Sequence, residues 1–227
     1  MVERWRTLDG IHDMGGMHGW GDLAPPLPEP VFAERWEGRA FALSLLSMRL
    51  SGRNLDAFRH ALERLQPIDY LVDGYYGRWL HAAELLLTDS NIIAKDAVDA
   101  RIRANAGEKI EEPPVPEPTK PDYQPTGPGS LRSIDDPPKF SVGERVMTKD
   151  LQTAGHTKLA RYLRRRPCLI QSIRPAALLP DTHAHFLGEN TQHVYAVTFD
   201  SQELWGAEAE KFELTADLYE SYLEAVA

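Results

Sequence analysis

Glu112-Pro113-Pro114-Val115-Pro116-Glu117-Pro118-Thr119-Lys120-Pro121 opens a segment that runs on to Pro137-Pro138. The stretch 113–138 holds nine of the 17 prolines in this 227-residue chain, with Gly127 and Gly129 among them. Proline fixes φ near about −65° and has no N–H, so neither helix nor sheet propagates through such a run. The stretch 113–138 reads as a linker. It separates an N-terminal arm and helical domain, residues 1–112, from a C-terminal domain, residues 139–227, of different periodicity.

Upstream of the linker the apolar spacing is helical. Phe32, Trp36, Phe41, Leu43, Leu45, Leu46 and Leu50 mark a first helix. Asn54 is the expected N-cap of a second, with Asp56 in its first turn, where the helix dipole favours a negative charge. Leu55, Phe58, Leu62 and Leu65 then form one apolar stripe, which Pro67 ends. Tyr75, Tyr76, Trp79, Leu80, Ala83, Leu86 and Leu87 predict the next helix. Asp89-Ser90-Asn91 breaks it, and a more polar helix runs from Ile92 to about Ala106. Ahead of all these lies Leu8-Asp9-Gly10-Ile11-His12-Asp13-Met14-Gly15-Gly16, followed by His18, Gly19, Trp20 and Gly21. This segment follows neither period and cannot bury its own side chains. It reads as an extended arm, ordered only by lying along something else.

Downstream the spacing is that of strands. Lys139-Phe140-Ser141-Val142-Gly143-Glu144-Arg145-Val146 places a glycine turn before a strand, and Cys168 to Ile173 is a short apolar run. In His193-Val194-Tyr195-Ala196-Val197-Thr198-Phe199 alternate residues fall on opposite faces. Several short strands in this span predict a compact barrel rather than a parallel sheet. The fold class is therefore α+β: an extended arm, a helical half, then a small β-barrel. The order of strand pairing is not readable from the pattern.

Composition sets the bounds. Hydrophobic content of 42% is enough for a core, and no apolar run approaches the roughly 20 residues a membrane span needs. Met1-Val2-Glu3-Arg4-Trp5-Arg6 has no signal-peptide character, so a cytoplasmic location is expected. The net charge of −9 argues against nucleic acid as a partner. Arg161, Arg164, Arg165 and Arg166 then read as a partner-facing or solvated strip. A single cysteine, Cys168, allows no disulfide and no cysteine metal cluster, and it reads as core. His183 and His185, beside Asp181, read as a loop.

Several short motifs, in order and at matching spacing, resemble one family. They are the arm from Leu8, Glu29-Pro30-Val31-Phe32, Trp36-Glu37, Leu55-Asp56-Ala57-Phe58-Arg59 and Tyr75-Tyr76-Gly77-Arg78-Trp79 in the first half. In the second they are Pro137-Pro138-Lys139-Phe140, Gly155-His156-Thr157, Ala160-Arg161-Tyr162 and Phe199-Asp200-Ser201-Gln202-Glu203-Leu204-Trp205-Gly206. The chain resembles the beta subunit of nitrile hydratase. That resemblance implies a helical N-terminal half with an arm and a C-terminal SH3-like barrel. It further implies an alpha-subunit partner, an α2β2 assembly and a small nitrile as substrate. No metal is expected in this chain. The Co(III) or low-spin Fe(III) belongs to the alpha subunit, held by cysteine sulfurs, two of them oxidised, and two backbone amides.

The resemblance also assigns residues. Arg59 corresponds to an arginine that bonds the oxidised cysteines. Taken from spacing alone, it reads as a surface arginine with a packed stem. Lys158 stands where the family carries a second such arginine. Lysine keeps the charge but lacks the planar fork, and Arg161 is the alternative donor. Tyr75 corresponds to a tyrosine that orients nitrile or water through its hydroxyl. Tyr76 and Trp79 correspond to pocket residues, and Phe41, Leu55 and Phe58 to pocket wall, although aromatics at this spacing also suit ordinary helix core. Gly74 replaces a common proline, and Trp79 leans toward the cobalt branch. His12 and His156 correspond to histidines that contact the alpha subunit. Two rival readings are a thiocyanate hydrolase component, whose halves are usually separate chains, and a metallochaperone or activator, which usually lacks the barrel.

Overall fold

The computed structural model describes residues 10–17 and 30–226. The arm residues Leu8, Asp9, His18, Gly19, Trp20 and Gly21 lie outside the described residues. The chain forms two compact units, one of helices and one built on a sheet.

In the helical unit, α1 (Arg35–Ser51) starts where the Glu37 carboxylate accepts the Glu34 N–H at 3.1 Å. For α2 (Leu55–Glu63), Asn54 is the expected cap: its side chain accepts the Ala57 N–H at 2.8 Å. Pro67, expected only to end that helix, opens a further short one, α3 (Pro67–Val72), because a missing N–H costs nothing in the first turn. Next come α4 (Gly74–Asp89) and α5 (Ala97–Asn105). The last begins five residues later than Ile92, after a turn in which Ala97 N–H bonds the Ala94 carbonyl.

The packing of α1 reverses its sequence pattern. It buries Ala40, Ser44, Ser47 and Ser51 and exposes Leu43, Leu45, Leu46 and Leu50. The buried hydroxyls bond carbonyls of their own helix: Ser44 to Ala40 at 2.8 Å and Ser47 to Ser44 at 2.8 Å. Ser44 also reaches the Trp79 carbonyl of α4 at 3.2 Å, so small residues bring the two helices close. Phe58, Ala61, Ala82 and Leu86 form the core beside them.

The second unit contains five strands: β1 (Arg145–Thr148), β2 (Pro167–Ala177), β3 (Gln192–Asp200), β4 (Glu213–Tyr219) and β5 (Leu223–Ala225). Every pairing is antiparallel, in the order β4-β3-β2-β1-β5. The sheet is thus not closed into the expected barrel. The strand expected at Cys168 to Ile173 is part of the longer β2, whose register shifts twice against β3. Val194, Tyr195, Ala196 and Val197 of β3 are all buried, so the central strand is covered on both faces. Phe140, Val146, Ile170, Phe199, Leu218 and Tyr222 fill the core around it. Two short helices, α6 (Pro180–His183) and α7 (Ser201–Trp205), flank β3.

The proline-rich stretch divides between the units: 113–122 go with the helices and 123–138 with the sheet. The second part is anchored by one cluster. Arg132 meets the Glu189 carboxylate at 2.6 and 2.7 Å, and Thr126 donates to the same group through its N–H at 2.9 Å and its hydroxyl at 2.6 Å. The described part of the arm packs on its own chain. Asp13 is buried and accepts from Arg161 Nε at 2.8 Å, while Gly16, at φ 72°, lies against Tyr162 and Trp205.

The Arg132 hydrogen bond, foremost, holds Glu189 down at about 2, below the ordinary value of about 4.3. A depressed carboxylate contributes stability above its unfolded value and loses it as pH falls through its folded value. Denaturant melts of the wild type should therefore lose stability between about pH 4.5 and about pH 2, with a shallower slope in Glu189→Gln. Equal slopes would remove Glu189 from the acid response. Gly16→Val places a β-branched residue at positive φ against two aromatic rings. Amide exchange at residues 10–17 should accelerate in this variant while exchange in β3 stays slow.

Candidate functional site

Five of the six expected pocket side chains meet in one aromatic group. Phe41 comes from α1, Phe58 from α2, and Tyr75, Tyr76 and Trp79 from the first turns of α4. Trp79 is the hub, with ring centroids 5.0 Å from Phe58, 5.6 Å from Phe41, 5.6 Å from Tyr75 and 6.1 Å from Tyr76. Tilted and edge-on pairs at these distances are favourable beyond their buried area. Phe32, placed by the sequence in the first helix and in a family motif but not in the pocket, joins the group at 5.1 Å from Tyr76. The group grades from core to surface: Phe58 is 1% exposed and Tyr75 63%. Leu55, the sixth, is the first residue of α2 and is exposed.

Arg59 lies on α2 with its side chain about half exposed. Its Nη1 donates to Asp56 Oδ1 at 2.9 Å. Asp56 is buried in the first turn of the helix. Sequence reasoning gave Asp56 only a helix-dipole role; the i,i+3 spacing to Arg59 was the signal that it also orients the guanidinium. With one nitrogen engaged, the remaining donors of the fork are available for an anion.

Lys158 belongs to the sheet unit. Its backbone N–H donates to the Tyr222 hydroxyl at 3.1 Å, and that hydroxyl in turn donates to Asp181. Burial, foremost, and the neighbouring Asp181 push the Tyr222 phenol far above its ordinary range, so it remains a neutral donor. His156 is buried, and its N–H donates to His185 Nε2 at 3.1 Å. These bonds fix the backbone of 156–158 while the Lys158 side chain is exposed. Tyr222 and His185 carried no sequence signal for this role, because their partners lie 29 to 64 residues away. Arg161, the alternative to Lys158, is engaged by Asp13. His12 is half-buried, and its Nδ1 has no hydrogen-bond partner among the described residues.

A thiolate metal centre does not fit this chain. Cys168, the single cysteine, is buried in β2, and burial pushes its thiol up to about 12. What the side chains offer is an aromatic wall and cations able to meet anionic acceptors. No helix among the described residues is long and apolar enough to cross a membrane.

Residues 8–124 match the family described as nitrile hydratase beta subunit, N-terminal, and residues 129–225 match its C-terminal counterpart. The chain is 36% identical to the nitrile hydratase subunit beta of Pseudomonas putida, an alignment covering 96% of this chain and 99% of that one. It is 35% identical to the low-molecular weight cobalt-containing nitrile hydratase subunit beta of Rhodococcus rhodochrous, covering 95% and 99%. Among solved structures, a thiocyanate hydrolase from Thiobacillus thioparus aligns with a TM-score of 0.38 and 27% identity. It covers 40% of this chain and 78% of that one.

The gradation of burial separates the structural rings from those free to act. Phe58→Ala should cost about 3–5 kcal/mol of stability, as deletion of a buried aromatic does. Tyr75→Phe should leave stability within about 0.5 kcal/mol. Urea unfolding of both variants checks this; comparable losses would mean that Tyr75 is a core residue.

Proposed function

Because the chain belongs to the nitrile hydratase beta-subunit family, we propose that it is the beta chain of an alpha–beta enzyme that hydrates small nitriles to amides. The observation that carries this reading is the inverted α1 helix. Its serines face α4, and Leu43, Leu45, Leu46 and Leu50, with Trp36, stand exposed. Trp36, Leu43, Leu46 and Leu50 fall within about 80° on the helix wheel, and an exposed apolar stripe of this kind marks a protein interface. The proposed occupant is the alpha subunit, in an α2β2 assembly in the cytoplasm.

The metal is assigned to the alpha subunit as Co(III) or Fe(III), where it supplies Lewis acidity. Cobalt is preferred, since the Rhodococcus rhodochrous relative is described as cobalt-containing and Trp79 points the same way. This chain contributes the surroundings. Arg59, oriented by Asp56, donates to the anionic oxidised cysteines, and Lys158 supplies the second positive charge from its fixed loop. The aromatic group, with Leu55, forms a dry pocket wall, and the exposed Tyr75 orients nitrile or water through its hydroxyl. His12 and the loop carrying His156 are the proposed contacts with the alpha subunit. The five antiparallel strands, with their register shifts in β2, suit an SH3-like barrel left open between β4 and β5.

Co-expression with the cognate alpha chain tests this reading. The pair should hydrate acrylonitrile and this chain alone should not. Removing one partner of a buried charge pair costs about 2–5 kcal/mol, so Arg59→Ala should lose at least about 30-fold in turnover while still assembling. Lys158→Ala should lose activity and Lys158→Arg should keep or raise it, because the planar fork can meet two acceptors at once. Leu43→Glu with Leu46→Glu should block assembly. Full turnover in Arg59→Ala, or hydrolysis of thiocyanate in place of the nitrile, would overturn the assignment.

A further inference from the structure

A second set of polar groups lies apart from the aromatic group, at the junction of α3 and α4. Asp69, Asp73 and His81 each bring a potential ligand atom within 4.8 Å of the others, and all three are partly buried. Asp73 holds the N-cap position of α4, where an aspartate normally accepts the N–H of the second or third helical residue. It makes no such bond. Its carboxylate instead turns along the helix, and Oδ2 meets His81 Nε2 at 2.7 Å. Gly77 permits this. A Cβ at position 77 would sit 2.7 Å from Asp73 Cβ, closer than real side chains approach. Residues 73, 77 and 81 are one turn apart on a single stripe, with glycine in the middle clearing the path between the two ligands. Asp69, one turn earlier, adds a second carboxylate at the same point.

Two carboxylates and an imidazole drawn together in this way make a nitrogen–oxygen donor set suited to a borderline dication. We propose that Asp69, Asp73 and His81 bind one zinc-class divalent cation, with water completing the coordination. The spacing suits the ion. Zinc bonds of about 2.0–2.2 Å in tetrahedral geometry place neighbouring ligand atoms about 3.4 Å apart. The present His81–Asp73 distance lies below this value and the 4.8 Å outer limit lies above it. Small rotations about the side-chain bonds therefore admit the ion. The ion takes the place of the hydrogen between Nε2 and Oδ2, and the neutral imidazole then carries its N–H on Nδ1. The stripe 73-77-81 lies about 200° around α4 from Tyr75 and Trp79, by the two-residue offset from Gly77 to Trp79. The inference therefore does not depend on the proposed nitrile chemistry.

Zinc chloride titrated into the chelator-treated full chain, followed by calorimetry at neutral pH, tests the proposal. One equivalent should bind. His81→Gln and Asp73→Asn should each weaken uptake at least about tenfold, as loss of groups at a metal site does. A His183→Gln and His185→Gln double variant should leave uptake unchanged. Nitrogen NMR of the wild-type histidine side chains reads the site without any substitution, and the His81 Nε2 signal should move with the first equivalent. Absence of zinc uptake by the wild type, or uptake that moves the His183 and His185 signals and leaves His81 untouched, would overturn the proposal.

Discussion

The close approach of α1 to α4 is the constraint on which the helical unit depends. Two helices can meet this tightly only if the side chains between them are small, and Ala40, Ser44 and Ser47 meet that condition. A buried serine is acceptable because its hydroxyl returns to a carbonyl of its own helix. The consequence falls on the faces beside that stripe. With the inner stripe given to serine, the leucines of α1 have no place within the chain and stand exposed. The same approach sets Phe41 of α1 against Trp79 of α4, so the packing that leaves an apolar outer face also builds the aromatic group.

In the sheet unit the corresponding device is a chain of polar anchors rather than a packed stripe. Glu189 gathers Arg132 and Thr126 and ties the proline-rich stretch to the turn before β3. Tyr222 takes the backbone of Lys158 on one side and Asp181 on the other. Asp13 holds Arg161, and the Tyr162–Trp205 stack, with ring centroids 5.9 Å apart, supports Gly15 and Gly16 of the arm. Each anchor joins segments remote in sequence. The Tyr222 anchor fixes the backbone at Lys158, whose residue is exposed.

The two cations proposed to act, Arg59 and Lys158, are held in different ways. Arg59 is positioned by a side chain one helical turn away, so its orientation is a property of α2 alone. Lys158 is positioned through its main chain, whose N–H donates to the Tyr222 hydroxyl 64 residues away. Arginine presents donors in a planar fork and lysine a rotating point charge, so the first defines geometry and the second mainly supplies field.

The sequence by itself determined the helical and strand characters of the two halves, the Asn54 cap and the family. Periodicity, caps and motifs are local in the chain, and local signals survive in a single sequence. It also determined which aromatics to watch, since Tyr75, Tyr76 and Trp79 share one helix. Tertiary structure alone decided that Phe32 joins them, that α1 turns its serines inward, and that the sheet runs β4-β3-β2-β1-β5 without closing. It also decided that Asp56, Tyr222 and His185 serve as supports, and that Asp69, Asp73 and His81 converge. A hydrophobic pattern tells which residues avoid water but not which neighbour covers them. The α1 leucines have the pattern of a core, and only the close approach of α1 to α4, where Ser44 reaches the Trp79 carbonyl, left them outward.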